Sequence, residues 1–323
     1  MNYYAKYIFV LLLLFVFGFI FEGYKKQEAK QNKLDEYELI KKYLLNDSTL
    51  ARSDKPILWI PIHFEINARW WSSYGSRNTK CLNQPYQYLT IKSIVDHCGD
   101  SFNICLIDDK SFNKIIPGWS NKIQNLPNPL RPHLRDLAMA KVLYYYGGMT
   151  IPSSFICMKN LMPLYSKGIS TVDMFSGELL CKSDASQYSE YFPSNKIMGC
   201  KKSSLTMEKY INYLERLVSS DYTNEIEFTG ANDKWLYEQV LHKTVMPLNA
   251  KYFGCKTIEN QPVLLDDLLS DNDDFQLPKC AFGVYIPADE ILRRTHYQWF
   301  SRLNAEQVLE SNTIIARQLL LCN

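Results

Sequence analysis

A helix that stops at two adjacent glycines and continues at once as a strand constrains this chain more than any other feature. Pro132 can open the helix, because the amide that proline lacks has no partner in a first helical turn. Apolar residues at helical spacing mark its buried face: Met139, Val142, Leu143 and Tyr146. Gly147 and Gly148 end the helix, since glycine readily adopts left-handed conformations. Residues 149–151 then predict a strand closed by Pro152, a layout that brings the following loop to the carboxyl edge of a sheet.

Short apolar runs alternate with helical periods through the rest of the chain. Further strands are predicted at 57–62, 102–107 and 281–286, and further helices at 85–97, 203–219, 232–241 and 305–321. This alternation is typical of an α/β layer architecture. No internal repeat or Gly/Ser linker interrupts residues 55–323, so we predict a single domain there.

The amino terminus carries an uncharged apolar run at residues 7–21. The run is short for a bilayer span, but flanking tyrosines and a snorkelling Lys6 bring the helix to a workable length. A cleaved signal peptide would also have an apolar run of this length, but it needs small residues at its end, which 19–22 do not supply. We therefore predict a membrane anchor at 1–24, a charged helical stem at 25–54 and a domain at 55–323, in a single-pass protein.

The side of the membrane that holds the domain stays open. Lysines cluster after the anchor, which favours a cytoplasmic domain, but long domains cross a membrane regardless of flanking charge. The nine cysteines show no metal-ligand spacing, and their odd number leaves at least one without a partner in the same chain. Because the side of the membrane is open, the redox state of the cysteines is open as well.

Charge and motifs exclude several function classes. The net charge is +2, from 36 Lys and Arg against 34 Asp and Glu, and no clustered basic face of the kind that binds nucleic acid is present. The sequence contains no Walker loop, GxGxxG, HExxH or GxSxG motif. Asp108 and Asp109 end the strand at 102–107, where α/β sheets bind ligands, but such pairs are also common turn residues.

Residues 136–148, DLAMAKVLYYYGG, resemble the D-L-L-R-Y-x-x-L-Y-x-Y-G-G signature of glycosyltransferase family 32 and related capsular polysaccharide synthesis proteins. Weaker similarities extend the resemblance over about residues 55–303: Trp59 to a first-strand tryptophan, 195–200 to an N-x-I-M segment, 228–230 to a T-G turn before a helix, and His296 with Trp299 to a late His-x-x-Trp. The resemblance implies a GT-A (Rossmann-like) α/β fold. It also implies transfer of a sugar, such as a hexose, from a nucleotide donor, usually with a divalent metal.

Two positions of the family's site differ in this chain. In the family an Asp and an Arg three residues apart hold the donor sugar; Asp136 is retained, but Met139 replaces the Arg and cannot donate hydrogen bonds. The metal-binding Asp-x-Asp corresponds to Pro152-Ser153-Ser154, whose neutral hydroxyls are poor ligands for Mn²⁺ or Mg²⁺. We therefore predict no metal and no other cofactor. Another cation would have to neutralise the leaving diphosphate: Arg69, Arg77, Arg131, His133, Arg135 or His296.

The resemblance assigns donor binding to eight residues and catalysis to none: Trp59, Asp136, Gly147, Gly148, Ser153, Ser154, His296 and Trp299. One hypothesis is an anchored, metal-independent glycosyltransferase-like enzyme that takes a nucleotide sugar and a glycan acceptor. The alternative is an inactive pseudoenzyme that serves as a scaffold in a membrane or particle coat. Trp70 and Trp71, in the basic and aromatic loop 69–77, suit either a nucleotide base or a protein partner.

Overall fold

Short apolar segments bounded by turn residues form the strands of this chain, as the computed structural model shows for residues 55–62, 84–126, 130–179, 193–219, 225–271 and 276–322. Of residues 225–230 the backbone alone is described. The predicted anchor and stem and the loop at 69–77 lie outside these ranges. All the described residues belong to one compact unit, Leu45–Asn323. None of the described helices is long and apolar enough to cross a membrane.

Within the described ranges the central sheet has six strands, in the order β2-β1-β3-β6-β5-β7. In chain order they are β1 (Ile57–Pro61), β2 (Asn103–Ile107), β3 (Gly148–Thr150), β5 (Met174–Glu178), β6 (Pro193–Cys200) and β7 (Met246–Leu248). β1 runs parallel to β2 and β3, whereas β6 runs antiparallel to β3 and β5, and β7 is parallel to β5. A separate antiparallel pair joins β4 (Phe155–Cys157) to β8 (Gly283–Tyr285). The predicted α/β class is confirmed, with a sheet that is parallel at one side and mixed at the other.

Helices connect and cover these strands. They are α1 (Gln87–Cys98), α2 (Phe112–Ile115), α3 (Leu130–Tyr146), α4 (Met162–Gly168), α5 (Leu205–Ser219), α6 (Glu225–Leu241), α7 (Leu265–Leu269), α8 (Ala288–Arg293), α9 (Gln298–Ser301), α10 (Ala305–Glu310) and α11 (Ile314–Cys322). Single 3₁₀ turns lie at Ile123–Asn125, Ala250–Phe253 and Thr295–Tyr297.

The helix–glycine–strand unit forms as the sequence predicts. The amide of Gly147 donates to the carbonyl of Leu143 over 2.7 Å, in the left-handed conformation at φ +73°. Gly148 starts β3 at φ +93°, and a Cβ there would lie 2.1 Å from the carbonyl oxygen of Ile57. Both positions therefore need glycine, the first to end α3 and the second to let β3 approach β1.

Two hydrophobic clusters hold these layers together. The larger packs β1, β2, β5 and β6 against α3 and α5, and it contains Trp59, Met139 and Leu143. The second packs α1 and the β4–β8 pair against the carboxyl-terminal helices, around Ile156 and Phe300. The apolar face predicted for α3 is thus the face that the sheet covers.

Two predicted helices have different bounds in the structure. The predicted helix at 305–321 is two helices, because Thr313 Oγ1 accepts the amide of Ala316 at 3.2 Å and so caps a new helix start. The expected turn at 228–230 is wrong, since these residues lie inside α6, which begins at Glu225. A glycine within a helix costs only about 1 kcal/mol relative to alanine, so Gly230 does not stop α6.

Candidate functional site

The carboxyl ends of β1, β2 and β3 meet at one edge of the sheet because the three strands are parallel. The first turns of α3 lie at the same edge, since α3 runs back along the sheet before β3. The amino-terminal half of β6 arrives there as well, because Met198 pairs with Thr150 and the residues before Met198 extend past the end of β3. In α/β sheets this edge is where ligands bind.

Asp136, on α3, lies at the centre of the polar residues at this edge. Asn232 Nδ2 donates to its Oδ2 over 2.7 Å, and Asn195 gives a second side-chain hydrogen bond. Burial raises the pKa of Asp136 to about 7, the nearby Asp233 adds to that rise, and the two asparagines and Lys196 oppose it. The carboxyl group therefore exists in both protonation states near neutral pH, which is typical of functional sites although buried structural carboxyls share it.

Asn232 is buried at 5% exposure, and its Oδ1 is a buried atom without a hydrogen-bond partner among the described residues. Most buried polar atoms in native proteins are paired, so an orphaned acceptor calls for a ligand or ordered water. An amide oxygen beside a titrating carboxyl group offers two adjacent acceptors.

A lysine follows Asn195 on β6. Lys196 forms an ion pair with Asp289 of α8, and its Nζ lies 3.3 Å from the hydroxyl of Tyr285. Burial alone would lower the pKa of Lys196, but Tyr285 and Asp289 outweigh it and raise that pKa. The ammonium group thus stays charged at neutral pH and supplies positive charge near Asp136.

The acidic pair after β2 is committed to internal contacts. Arg135 binds Asp109 through two hydrogen bonds, Nε to Oδ1 at 2.9 Å and Nη2 to Oδ2 at 2.8 Å. Asp108 Oδ1 accepts the amide and the hydroxyl of Ser111 at 2.8 Å and 2.5 Å. Asp108 is therefore a turn residue, and the charge of Asp109 is balanced by Arg135.

The two serines after β3, Ser153 and Ser154, also make internal hydrogen bonds. Ser153 Oγ donates to Gln87 Oε1 of α1 at 3.1 Å. Ser154 is buried, and its Oγ donates to the carbonyl of Ile286 at 2.7 Å, next to the β4–β8 pair. In the part of the chain that the structure describes, no three His, Cys, Asp or Glu side chains form a group that could hold a metal ion. The donor atoms at this edge thus do not fit a hard divalent cation.

Three residues predicted to bind the donor have packing contacts away from this edge. Trp59 is fully buried, and its Nε1 donates to the carbonyl of Gly147 at 2.9 Å. Gly147 and Gly148 lie at the amino end of β3, opposite the carboxyl edge. Met139 is likewise buried in the core. The side chain at the position of the Arg in glycosyltransferase family 32 therefore has packing contacts in this chain.

The described side chains that were expected to neutralise a diphosphate have separate surroundings. Arg131 Nε donates to the carbonyl of Leu126 at 2.8 Å, Arg135 holds Asp109, and burial lowers the pKa of His133 so that it is neutral near pH 7. His296 and Trp299 are exposed, on the two short helices that follow α8. Arg69 and Arg77 lie outside the described residues.

The residues around Asp136 were only partly indicated by sequence. Asn195 belongs to the segment that resembles N-x-I-M, but it was not assigned to the site. Asn232, Lys196 and Asp289 were missed, because each comes from an element distant in sequence.

Comparison with known proteins gives a weak structural likeness. No family model matches the chain, and no curated protein matches it. Apo mouse xyloside xylosyltransferase 1 is similar at 8% identity and a TM-score of 0.35, over 62% of this chain and 87% of that one. The apo glycosyltransferase GlyE of Streptococcus pneumoniae TIGR4 is similar at 10% identity and a TM-score of 0.36, over 78% of this chain and 62% of that one. Both structures are glycosyltransferases, but TM-scores this low assign neither fold nor function.

Proposed function

We propose that the chain is a membrane-anchored, glycosyltransferase-like protein of the GT-A type that binds a nucleotide sugar without a divalent metal. The orphaned Oδ1 of Asn232, beside the titrating carboxyl of Asp136, is the observation that carries the proposal. Sugars present neighbouring hydroxyl groups that donate to such acceptors, and an unmade hydrogen bond at a buried acceptor costs about 1–3 kcal/mol. A donor sugar bound at the carboxyl edge would recover that cost.

Each described residue at this edge has a distinct part in the proposal. Asn232 Oδ1 and Asp136 accept hydroxyl groups of the sugar, and Asn195 orients the Asp136 carboxyl. Lys196 supplies positive charge toward the diphosphate. The proposed site leaves out Trp59, Gly147, Gly148 and Ser154, whose polar groups and surfaces are used in packing.

The donor chemistry at the end of β3 supports the proposal that no divalent metal is needed. A hard divalent cation needs charged oxygen ligands to replace its water shell. Ser153 and Ser154 offer neutral hydroxyls that already donate elsewhere, and Asp109 is held by Arg135. The proposed binding of a nucleotide sugar therefore does not involve a divalent metal.

The scaffold alternative is favoured by a specific observation as well. Met139, in place of the family's sugar-binding Arg, is 6% exposed within the core. Without the Arg and the carboxylates, the fold would serve as a scaffold and would not bind a nucleotide sugar. This second candidate predicts that nucleotide sugars do not bind.

Thermal unfolding of the full-length protein in detergent separates the two candidates. A panel of uridine, guanosine and cytidine nucleotide sugars is added in the presence of EDTA, and release of free sugar is measured in parallel. We expect at least one donor to raise the melting temperature of the wild type but not of Asn232→Ala. Asn212→Ala, an exposed asparagine on α5, is the matched control. No shift with any donor would contradict the proposal and favour the scaffold.

A further inference from the structure

Two cysteines face each other between α1 and β4, away from the proposed site. Cys98 ends α1 and Cys157 ends β4, and their Sγ atoms lie 3.8 Å apart. Both side chains are fully buried. A disulfide bond has a sulfur–sulfur length of about 2.05 Å, so each sulfur needs to move by only about 0.9 Å to form one.

The backbone on both sides of this pair is held by a row of contacts along α1. Thr90 Oγ1 donates to the carbonyl of Ser153, and Ser93 Oγ accepts the amide of Cys157 at 2.9 Å. Cys98 is fixed in turn, because its carbonyl accepts the amide of Phe102 at 2.9 Å. These contacts hold α1 and β4 in the arrangement in which the two sulfur atoms are adjacent.

We propose that Cys98 and Cys157 are a disulfide-forming pair that links α1 to β4 wherever the protein folds in the presence of a thiol oxidant. One sulfur–sulfur bond forms between the two cysteines, the sulfur–sulfur bond of a small-molecule disulfide breaks, and the two thiol protons and two electrons convert that disulfide into two thiols. The contact with Cys157 holds the pKa of Cys98 below its usual value, which makes Cys98 the readier nucleophile of the two.

The bond would close a long loop, since the two cysteines are 59 positions apart. Closing a loop of this length restricts the unfolded chain and stabilises the folded one. Because disulfides persist outside the reducing cytosol, the state of this pair in the cell also indicates on which side of the membrane the domain lies.

Oxidative refolding of the full-length protein in detergent tests the proposal. The protein is unfolded under reduction, refolded with either dithiothreitol or a mixture of reduced and oxidised glutathione, alkylated, and mapped by peptide mass spectrometry. Cys98→Ala and Cys157→Ala are compared with Cys105→Ala, which removes a buried cysteine of β2 and leaves the pair intact.

We expect a peptide that joins Cys98 to Cys157 and a loss of two hydrogens after refolding with oxidised glutathione. The melting temperature should rise by about 5–10 °C in the wild type and Cys105→Ala, and by much less in the two variants of the pair. Alkylation of both Cys98 and Cys157 after oxidative refolding would overturn the proposal. A bond from either residue to a different cysteine, such as Cys322, would overturn it as well. The mapping of the wild type decides the matter even if a variant fails to fold.

Discussion

Asn232 Nδ2 donates to Asp136 Oδ2 over 2.7 Å and thereby joins α6 to α3 at the carboxyl edge of the sheet. The contact gives a buried carboxyl group a partner, but it does not offset the burial, so the pKa of Asp136 is raised to about 7. Gln84 and Gln298 also have one amide atom paired and the other buried without a partner among the described residues, but Asn232 combines this pattern with a contact to a carboxyl group whose pKa is raised. Here one end is satisfied and the other is left as an acceptor, which is why we place the proposed ligand at this pair.

The raised pKa of Asp136 gives stability a predictable pH dependence. The pKa is about 7 in the folded protein against 3.8 for an unperturbed aspartate, so the folded state retains the proton to a higher pH than the unfolded state does. Stability contributed at this position is present below the unfolded pKa and is lost as the pH rises toward 7. Asp136→Asn does not titrate, and its stability relative to wild type should therefore increase between about pH 5 and about pH 8, by on the order of 1–2 kcal/mol.

Urea unfolding of both proteins at the two pH values measures this difference. Asp100→Asn, a change at an exposed aspartate, controls for the general effect of replacing Asp by Asn. A gap between Asp136→Asn and wild type that is the same at both pH values would show that Asp136 is not the titrating group.

The Asp109–Arg135 pair should contribute more to stability than an exposed ion pair does. Both side chains are close to 90% buried, and the two hydrogen bonds between them are in a forked geometry. Arg135→Met leaves the Asp109 carboxylate buried without its main counter-charge, which should reduce the free energy of unfolding by about 3 kcal/mol. The double variant Asp109→Asn/Arg135→Met should recover part of that loss, whereas a strictly additive result would contradict the coupling.

Gly148 should tolerate no side chain. Alanine there would place its Cβ 2.1 Å from the carbonyl oxygen of Ile57 and would also have to adopt φ +93°. We expect Gly148→Ala to separate β3 from β1 and to yield no soluble folded protein. Gly118 also has a positive φ, +71°, but its Cβ would meet open space, so Gly118→Ala should cost only about 1 kcal/mol. Circular dichroism and melting temperatures of both variants check the contrast; a folded Gly148→Ala protein would refute it.

The two serines after β3 should differ in their contribution to stability. Ser154 Oγ is buried and donates to Ile286, so Ser154→Ala should cost about 1–2 kcal/mol. Ser153 is partly exposed, and Ser153→Ala should cost less than about 1 kcal/mol. Denaturant unfolding measures both. Equal small effects would mean that the Ser154 contact contributes little to holding the β4–β8 pair beside the site.

Local patterns predicted only part of the fold that positions the site, because β6, which carries Asn195 and Lys196, was not predicted. The helix ending at Gly147-Gly148 and the strands on either side of it depend on apolar spacing and on the conformational freedom of glycine, both of which are visible in sequence. β4, β5, β6 and β7 were not predicted. β4, β5 and β7 span three to five residues and carry little periodicity, and the first half of β6 is polar, Ser194-Asn195-Lys196. The break between α10 and α11 was missed because Thr313 caps a helix only when its hydroxyl faces the next turn.

The candidate site was less predictable than the fold. Asp136 was identified from its resemblance, but its partners Asn232 and Lys196 come from elements roughly 60–100 residues away, and only the folded chain brings them together. Trp59 illustrates the reverse case. Its position in the first strand suggested a ligand contact, yet the indole is needed in the core, where its N–H bonds to Gly147.

Isothermal titration of the full-length protein with a nucleoside diphosphate and with its nucleotide sugar, in Mn²⁺ or in EDTA, tests the central claim most directly. We predict that the nucleotide sugar binds with the same affinity in both conditions and more tightly than the diphosphate alone. In Asn232→Ala that preference should fall by about tenfold, the effect of losing roughly 1.4 kcal/mol, and in Asn212→Ala it should be retained. Binding that needs Mn²⁺ and is lost in Asp109→Asn would contradict the claim, and so would the absence of binding in every condition.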